Sequence, residues 1–114
     1  MSSIKASDIY SAELKATGAA ADLDIEGPKV PEGRVVRIRV MYVVDLTTVN
    51  RSVRLGYKRA GSTYWFKRQN AGASAFGISL DGDLYLVGGE SPVARVESAP
   101  AADECWLIVR GEYL

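Results

Sequence analysis

The longest strand-like stretch of the chain is RVVRIRVMYVVD, residues 34–45. Side chains of a strand alternate between its two faces, so strict alternation divides this stretch into two sets. The inner set is apolar or aromatic: Val36, Ile38, Val40, Tyr42 and Val44. The outer set mixes apolar side chains with arginines: Val35, Arg37, Arg39, Met41 and Val43. Apolar groups interleaved with arginine are typical of interfaces, so the outer set predicts a contact surface with another subunit, unless another part of the chain covers it.

The same two-residue period recurs on both sides of this stretch. Ala60-Gly61-Ser62 and Asp81-Gly82 each separate two apolar runs, which predicts two hairpins. No helical period of useful length occurs. We therefore predict an all-β chain, a two-layer antiparallel β-sandwich of the jelly-roll type with about eight or nine strands. The predicted strands beyond 34–45 are residues 9–16, 22–26, 52–59, 63–69, 75–80, 83–88, 92–98 and 104–112.

The length of 114 residues fits one domain. Residues 28–114 are predicted to form the sandwich core, and this unit begins within a loop rich in proline and glycine at residues 27–33. Residues 1–27 are predicted to supply an N-terminal arm and the first strands, which could contact a neighbouring subunit. The apolar runs are too short to cross a membrane as a helix, so no membrane partner is expected.

The composition excludes most catalytic chemistry. The chain has no histidine and one cysteine, Cys105, so it lacks a Ser-His or Cys-His nucleophile pair and a zinc site built from these residues. We expect Cys105 to be a buried structural thiol, because it lies in an apolar strand. Asp81 and Asp83 could serve acid–base chemistry or calcium binding, but the Asp-Gly sequence favours a turn. We therefore predict no catalytic residue, no metal site and no cofactor, and expect that the chain is not an enzyme.

Charge is segregated along the chain although the net charge is zero. Residues 29–68 hold ten basic and two acidic residues, a net charge of +8, whereas residues 1–28 carry −3 and residues 69–114 carry −5. The basic segment, with aromatic residues at 64–66, could bind single-stranded nucleic acid. Alternatively, basic and acidic strands pair within the sheets, or a basic face meets an acidic face of another subunit. A dedicated nucleic-acid-binding domain usually has a net positive charge, so no nucleic-acid partner is expected.

Residues 30–38 read VPEGRVVRI, residues 79–86 read SLDGDLYL and residues 102–111 read ADECWLIVRG. These three segments resemble parts of small jelly-roll or sandwich proteins from the virions of tailed bacteriophages. Residues 30–38 resemble the Pro-x-Gly entry to a long strand in those proteins. Residues 79–86 are similar to their L-x-x-G-D-x-L turn, and residues 102–111 are similar to their closing strand. The resemblance spans residues 28–112 and rests on turns rather than on catalytic motifs.

The resemblance implies a structural protein located in the virion, most simply a capsid decoration protein. Such proteins are commonly trimeric, so the implied partners are further copies of the chain and the major capsid protein or another virion protein. The alternative is a carbohydrate-binding or adhesin-type module, in which exposed Trp65, Tyr64 or Tyr85 would stack on sugar rings. Against that alternative, we expect Trp106 and Trp65 to pack in the core.

Overall fold

The computed structural model describes residues 8–72 and 77–114, and these residues form nine strands and no α-helix. The strands make two antiparallel sheets that pack against each other, so the predicted β-sandwich is confirmed. The strands are β1 (Ile9–Thr17), β2 (Ala21–Glu26), β3 (Val35–Asp45), β4 (Ser52–Arg59), β5 (Ser62–Asn70), β6 (Gly77–Ser79), β7 (Leu84–Val87), β8 (Ser91–Ala99) and β9 (Glu104–Tyr113).

The two sheets are built from nested antiparallel pairs. In sheet A the order is β1-β9-β3, and β6 and β7 both pair with the remaining edge of β3. In sheet B the order is β2-β8-β4-β5. The first strand thus pairs with the last and the second with the last but one, and the nesting continues inward to the β4–β5 hairpin. This is the strand order of a jelly roll.

The two predicted hairpins have different outcomes. The β4–β5 hairpin forms, and Ala60 and Gly61 take the positive φ angles, 50° and 82°, that a tight two-residue turn requires. The hairpin predicted at Asp81-Gly82 is wrong, because β6 and β7 pair with β3. β3 is eleven residues long and offers hydrogen-bonding groups to both short strands in succession. Part of the predicted strand 75–80 lies outside the described residues.

The first strands belong to the sandwich rather than to a separate arm. β1 pairs with β9 along its nine residues, and β2 pairs with β8. Tyr10 and Ile25 from these strands are buried in the core. The core therefore includes β1 and β2, and a boundary at residue 28 does not separate them from it. Residues 1–7 of the predicted arm lie outside the described residues.

One extra residue interrupts the alternation of β3. Ile38 lies opposite Gly111 of β9, but Val40 lies opposite Arg110, so Arg39 is left without a register partner and forms a β-bulge. A side chain at position 111 would collide with the backbone of β3. Glycine at this position therefore allows the two strands to approach where the bulge occurs.

The bulge exchanges the inner and outer faces of β3 beyond Arg39. Met41 and Val43 are fully buried, whereas Val40 is 45% exposed. A bulge of one residue reverses every later position, because the side-chain period of a strand is two. The single outer face predicted from strict alternation is therefore wrong for two members of its set of Val35, Arg37, Arg39, Met41 and Val43.

The core lies between the two sheets and takes side chains from both. Cys105 is one of its members, fully buried and not in a disulfide, which confirms the predicted structural thiol. The buried apolar cluster consists of Tyr10, Ile25, Val30, Val36, Ile38, Met41, Val43, Val53, Leu55, Ile78, Leu86, Ala94, Val96, Ala99, Cys105, Leu107 and Val109.

Substitutions just after the bulge test the exchange of faces. Met41→Ala removes a fully buried side chain and is expected to lower the free energy of unfolding by about 2–5 kcal/mol. Val40→Ala changes an exposed position and is expected to alter it by less than about 0.5 kcal/mol. Urea denaturation of both variants measures the two effects. The opposite ranking would mean that β3 alternates without a bulge.

Candidate functional site

After the bulge, β3 presents aromatic and apolar side chains on the outer face of sheet A. Tyr42 lies opposite Ile108 of β9, and Val44 lies opposite Trp106. With Leu46, which follows β3, these side chains line a shallow concavity of about 390 Å3. We call this set the sheet A patch: Tyr42, Val44, Leu46, Trp106 and Ile108. Leu46 is 49% exposed, Tyr42, Trp106 and Ile108 are half-buried, and Val44 is buried at their base. The patch therefore offers apolar surface to a partner mainly through Leu46 and the three half-buried side chains.

Trp106 lies in this patch, and the prediction that it packs in the core is wrong. Its neighbour Cys105 points into the core, so alternation along β9 directs Trp106 to the outer face. Lys15 of β1 lies opposite Trp106, and its ammonium nitrogen is 4.2 Å from the centre of the indole ring. This cation–π contact holds the ring against the sheet.

A charged band crosses the same face of sheet A. Glu112 of β9 accepts hydrogen bonds from Arg37 and Arg39, and these bonds lower the pKa of its carboxyl group. Arg110 Nη2 donates a hydrogen bond to Glu13 Oε1 of β1, and the two atoms are 3.0 Å apart. The two arginines of the predicted contact surface therefore remain on the outer face, but each has a partner in its own chain.

The charges that are segregated along the sequence meet in the fold. Seven of the ten basic residues in the segment 29–68 form ion pairs, and the acidic partner in each pair lies outside that segment. The nested topology explains this result, because it places β3 and β4 beside strands from the two ends of the chain. Pairing within the sheets is thus the interpretation that the structure supports. The pairs are Arg37–Glu112, Arg39–Glu112, Arg54–Glu97, Lys58–Glu26, Arg59–Glu90, Lys67–Asp81 and Arg68–Glu97.

Trp65 lies on sheet B outside the buried core cluster, so the prediction of core packing is wrong for it as well. It pairs with Gly56, and a Cβ atom at Gly56 would collide with the indole ring. The guanidinium groups of Arg54 and Arg95 lie 6.0 and 5.1 Å from the ring centre. The indole is therefore covered in part by two arginines of neighbouring strands.

Three other aromatic side chains are well exposed. Tyr64 is 48% exposed, Phe66 is 42% exposed, and Tyr85 on β7 is 55% exposed. Tyr64 also stacks on Tyr57, with ring centres 5.3 Å apart and the planes 21° from parallel. Stacking restricts the ring of Tyr64 while part of its surface stays in solvent, which is the arrangement that sugar recognition would need.

Of the residues considered for catalysis and metal binding, Asp81 is paired and Cys105 is buried, whereas Asp83 is exposed. Asp81 accepts a hydrogen bond from Lys67 Nζ at 2.8 Å. Burial raises the pKa of the Cys105 thiol to about 12, so the thiol stays protonated and unreactive near neutral pH. Within residues 8–72 and 77–114, no three His, Cys, Asp or Glu side chains converge as a metal site would require. No helix among the described residues is long and apolar enough to span a bilayer.

A larger concavity of about 620 Å3 opens beside the β4–β5 turn and is lined by charges of both signs. Glu26 accepts hydrogen bonds from Ser91 and Lys58. Arg59 pairs with the buried carboxyl group of Glu90. Glu26, Lys58 and Arg59 are thus paired within the chain, which makes this groove a weaker candidate for a binding site than the sheet A patch.

No family model matches the sequence, and a search of curated proteins finds no match. The candidate site is therefore defined by the structure. Sequence alternation assigns Tyr42 to the core, although it lies half-buried on the outer face, and it gives no role to Leu46 or Ile108. Val44 is buried as predicted, although it lies outside the main core cluster. Gly111 is the signal that could have revealed the patch, because an isolated glycine within a strand indicates a bulge.

Proposed function

We propose that this chain is a structural protein of a phage particle, a capsid decoration protein that docks on the shell through the sheet A patch. The observation that carries the proposal is an apolar concavity on the outer face of sheet A, beside a band of paired charges. The proposed location is the virion, and the proposed chemistry is noncovalent attachment without a catalytic step.

Two further observations support this proposal. Jelly rolls are found in viral capsid proteins, and the strand order here is that of a jelly roll. The turns at residues 30–38 and 79–86 and the closing strand resemble those of small virion proteins of tailed phages. The fold and the resemblance suggest the class of protein, but a fold by itself does not define a function. The patch therefore supplies the separate argument for a docking surface.

The geometry of the face indicates how docking would be stabilised. Covering the patch removes apolar surface of Tyr42, Trp106 and Ile108 from water, which stabilises a contact by about 25 cal/mol per Å2. The band of paired charges around Glu112 then favours partners and orientations that match it. Such attachment would raise the free energy needed to separate shell subunits without any reactive group.

We further propose that the chain assembles as a trimer on the particle, as the resemblance implies. A head-to-tail contact between a basic and an acidic face is not needed for this, because most residues of the basic segment pair within their own chain.

A charge placed in the patch is expected to abolish docking. Leu46→Glu introduces a carboxylate at a side chain that is 49% exposed, so folding should be retained while an apolar contact would be lost. Phe66→Glu, at a side chain that is 42% exposed on sheet B, is the matched control. Cosedimentation with tailed-phage shell particles that lack a decoration protein measures binding, and light scattering of the free chain gives the number of copies in an assembly.

The proposal predicts that Leu46→Glu loses cosedimentation at least tenfold and that Phe66→Glu binds like the wild type. Three chains per assembly would support the trimer. Equal binding by wild type and Leu46→Glu would contradict docking through the patch, and absence of wild-type binding would contradict the virion function itself.

A carbohydrate-binding module is the second candidate, and the exposed, stacked ring of Tyr64 favours it. Jelly rolls also occur in lectins. In this case the sugar would pack on the β5 edge of sheet B, away from the sheet A patch. Trp65 is less suited to this role because Arg54 and Arg95 lie over its ring.

If the chain binds sugars, Tyr64→Ala should weaken binding at least tenfold, because a stacked aromatic contributes the main apolar contact to a sugar ring. Titration of host-surface polysaccharides, followed by tryptophan fluorescence and calorimetry, measures the affinity. Tyr85→Ala on sheet A is the control and should bind as the wild type does. Polysaccharides that produce no heat or fluorescence change with the wild-type chain would exclude this function.

A further inference from the structure

Two buried carboxyl groups lie together at one end of the sandwich. Asp45 is the last residue of β3, and the reversed phase after the bulge directs its side chain inward. Asp103 belongs to the turn that precedes β9. Asp45 is fully buried and Asp103 is 5% exposed. A buried carboxylate without a counter-charge is unfavourable, so this pair requires an explanation.

The hydrogen bonds of the pair leave one buried carboxyl oxygen atom, Asp45 Oδ2, without a partner among the described residues. Asp45 Oδ1 accepts from the backbone N–H groups of Thr47 and Thr48, at 2.9 and 3.0 Å. Asp103 Oδ2 accepts from the Thr48 hydroxyl at 2.6 Å. None of the ion pairs formed by the described part of the chain includes Asp45 or Asp103.

We propose that Asp45 is protonated at Oδ2 and donates this proton in a hydrogen bond to the Asp103 carboxylate, forming a pH-sensitive clasp. The proton comes from water and returns to it when the pH rises. The clasp joins the loop after β3 to the turn before β9, and Thr48 contacts both carboxyl groups. When both carboxyl groups are ionised, the clasp opens and the loop that carries Leu46 is released.

The surroundings of Asp45 agree with a proton rather than a counter-ion. Burial raises the pKa of the Asp45 carboxyl, and the adjacent Asp103 carboxyl raises it further, against the opposing hydrogen bonds from Thr48 and Thr47. Cys105 also faces Asp45 and stays a neutral thiol, because burial raises its pKa to about 12.

The other charged groups on the elements packed around Asp45 point elsewhere. Glu104 of β9 is exposed, and its backbone carbonyl accepts from Leu46 N–H. Lys15 of β1 lies over the Trp106 ring on the outer face. Arg51, at the end of the loop, donates to the carbonyl oxygen of Ser98. The neighbours of the two carboxyl groups are therefore each other and the hydroxyl and amide groups of the loop.

The direction of the pH effect follows from the raised pKa. A carboxyl group whose pKa is higher in the folded state than the unfolded value of about 3.9 stabilises the fold fully below that value. The stabilisation is lost as the pH rises through the raised folded-state pKa. The clasp is therefore closed at low pH and is weakened as the pH rises through the raised pKa of Asp45. The carboxyl groups of Glu97 and Glu112, which pair with arginines and have lowered pKa values, have the opposite effect.

Asp45→Asn tests the clasp, because the amide keeps one oxygen as an acceptor and replaces the carboxyl proton with a permanent N–H donor. We expect the urea midpoint of Asp45→Asn, relative to that of the wild type, to rise as the pH increases from about 4 to about 8, since only the wild type loses its donor. Asp24→Asn, at an exposed carboxylate paired with Arg95, is the control and should show no such rise with pH.

Two results would overturn the proposal. If Asp45→Asn lowers the midpoint by the same amount at every pH, Asp45 acts as an ionised cap of the loop. If millimolar calcium raises the wild-type midpoint at alkaline pH and leaves Asp45→Asn unchanged, the pair binds a cation and not a shared proton. A carboxyl resonance of Asp45 that titrates above the ordinary aspartate range would support the clasp independently. The folding measurements involve no phage particle, so their outcome does not depend on the proposed function.

Discussion

The extra residue at Arg39 is the constraint on which the arrangement of sheet A depends. Before it, Val36 and Ile38 face the core, and after it Met41 and Val43 do so. Without the bulge, the same alternate positions of β3 would face the core both before and after Arg39. Instead, the bulge places an apolar patch on the outer face and turns Asp45 inward. The candidate docking surface and the buried carboxyl pair therefore share one structural origin.

Gly111 makes this geometry possible from the opposite strand. Any side chain there would collide with the backbone of β3, so the close approach of β9 depends on glycine. β9 in turn carries Trp106 and Ile108 to the patch and Cys105 to the core. After the bulge, the outward positions of β3 lie opposite the outward positions of β9, and together they form the patch.

Nested pairing governs the electrostatics of the rest of the molecule. A jelly roll places strands from the middle of the chain beside strands from its ends. The basic segment at residues 29–68 therefore lies next to the acidic flanks, and Glu97 alone pairs with Arg54 and Arg68. The segregation seen along the sequence is resolved into local pairs across neighbouring strands. Because most of these charges are paired, the apolar concavity on sheet A, rather than a region of net charge, is the candidate contact surface.

Local patterns were sufficient to predict the fold class, the β4–β5 turn and the buried thiol of Cys105. Alternation and turn residues are properties of short segments, and they survive in the folded chain. The docking surface could not be predicted in this way, because one unpaired residue in β3 exchanges all later positions. Asp81-Gly82 shows the same limit: the bend is local, but the partner of the strands beside it is the distant β3.

Thiol labelling across the bulge is the most direct test of this account. Cys105 is buried with a raised pKa and should not react, so a cysteine introduced elsewhere reports its own exposure. The account predicts that Val40→Cys reacts in the folded protein at nearly the rate of an unfolded thiol, whereas Met41→Cys reacts only as the protein opens. Fast labelling of Met41→Cys together with protection of Val40→Cys would contradict it.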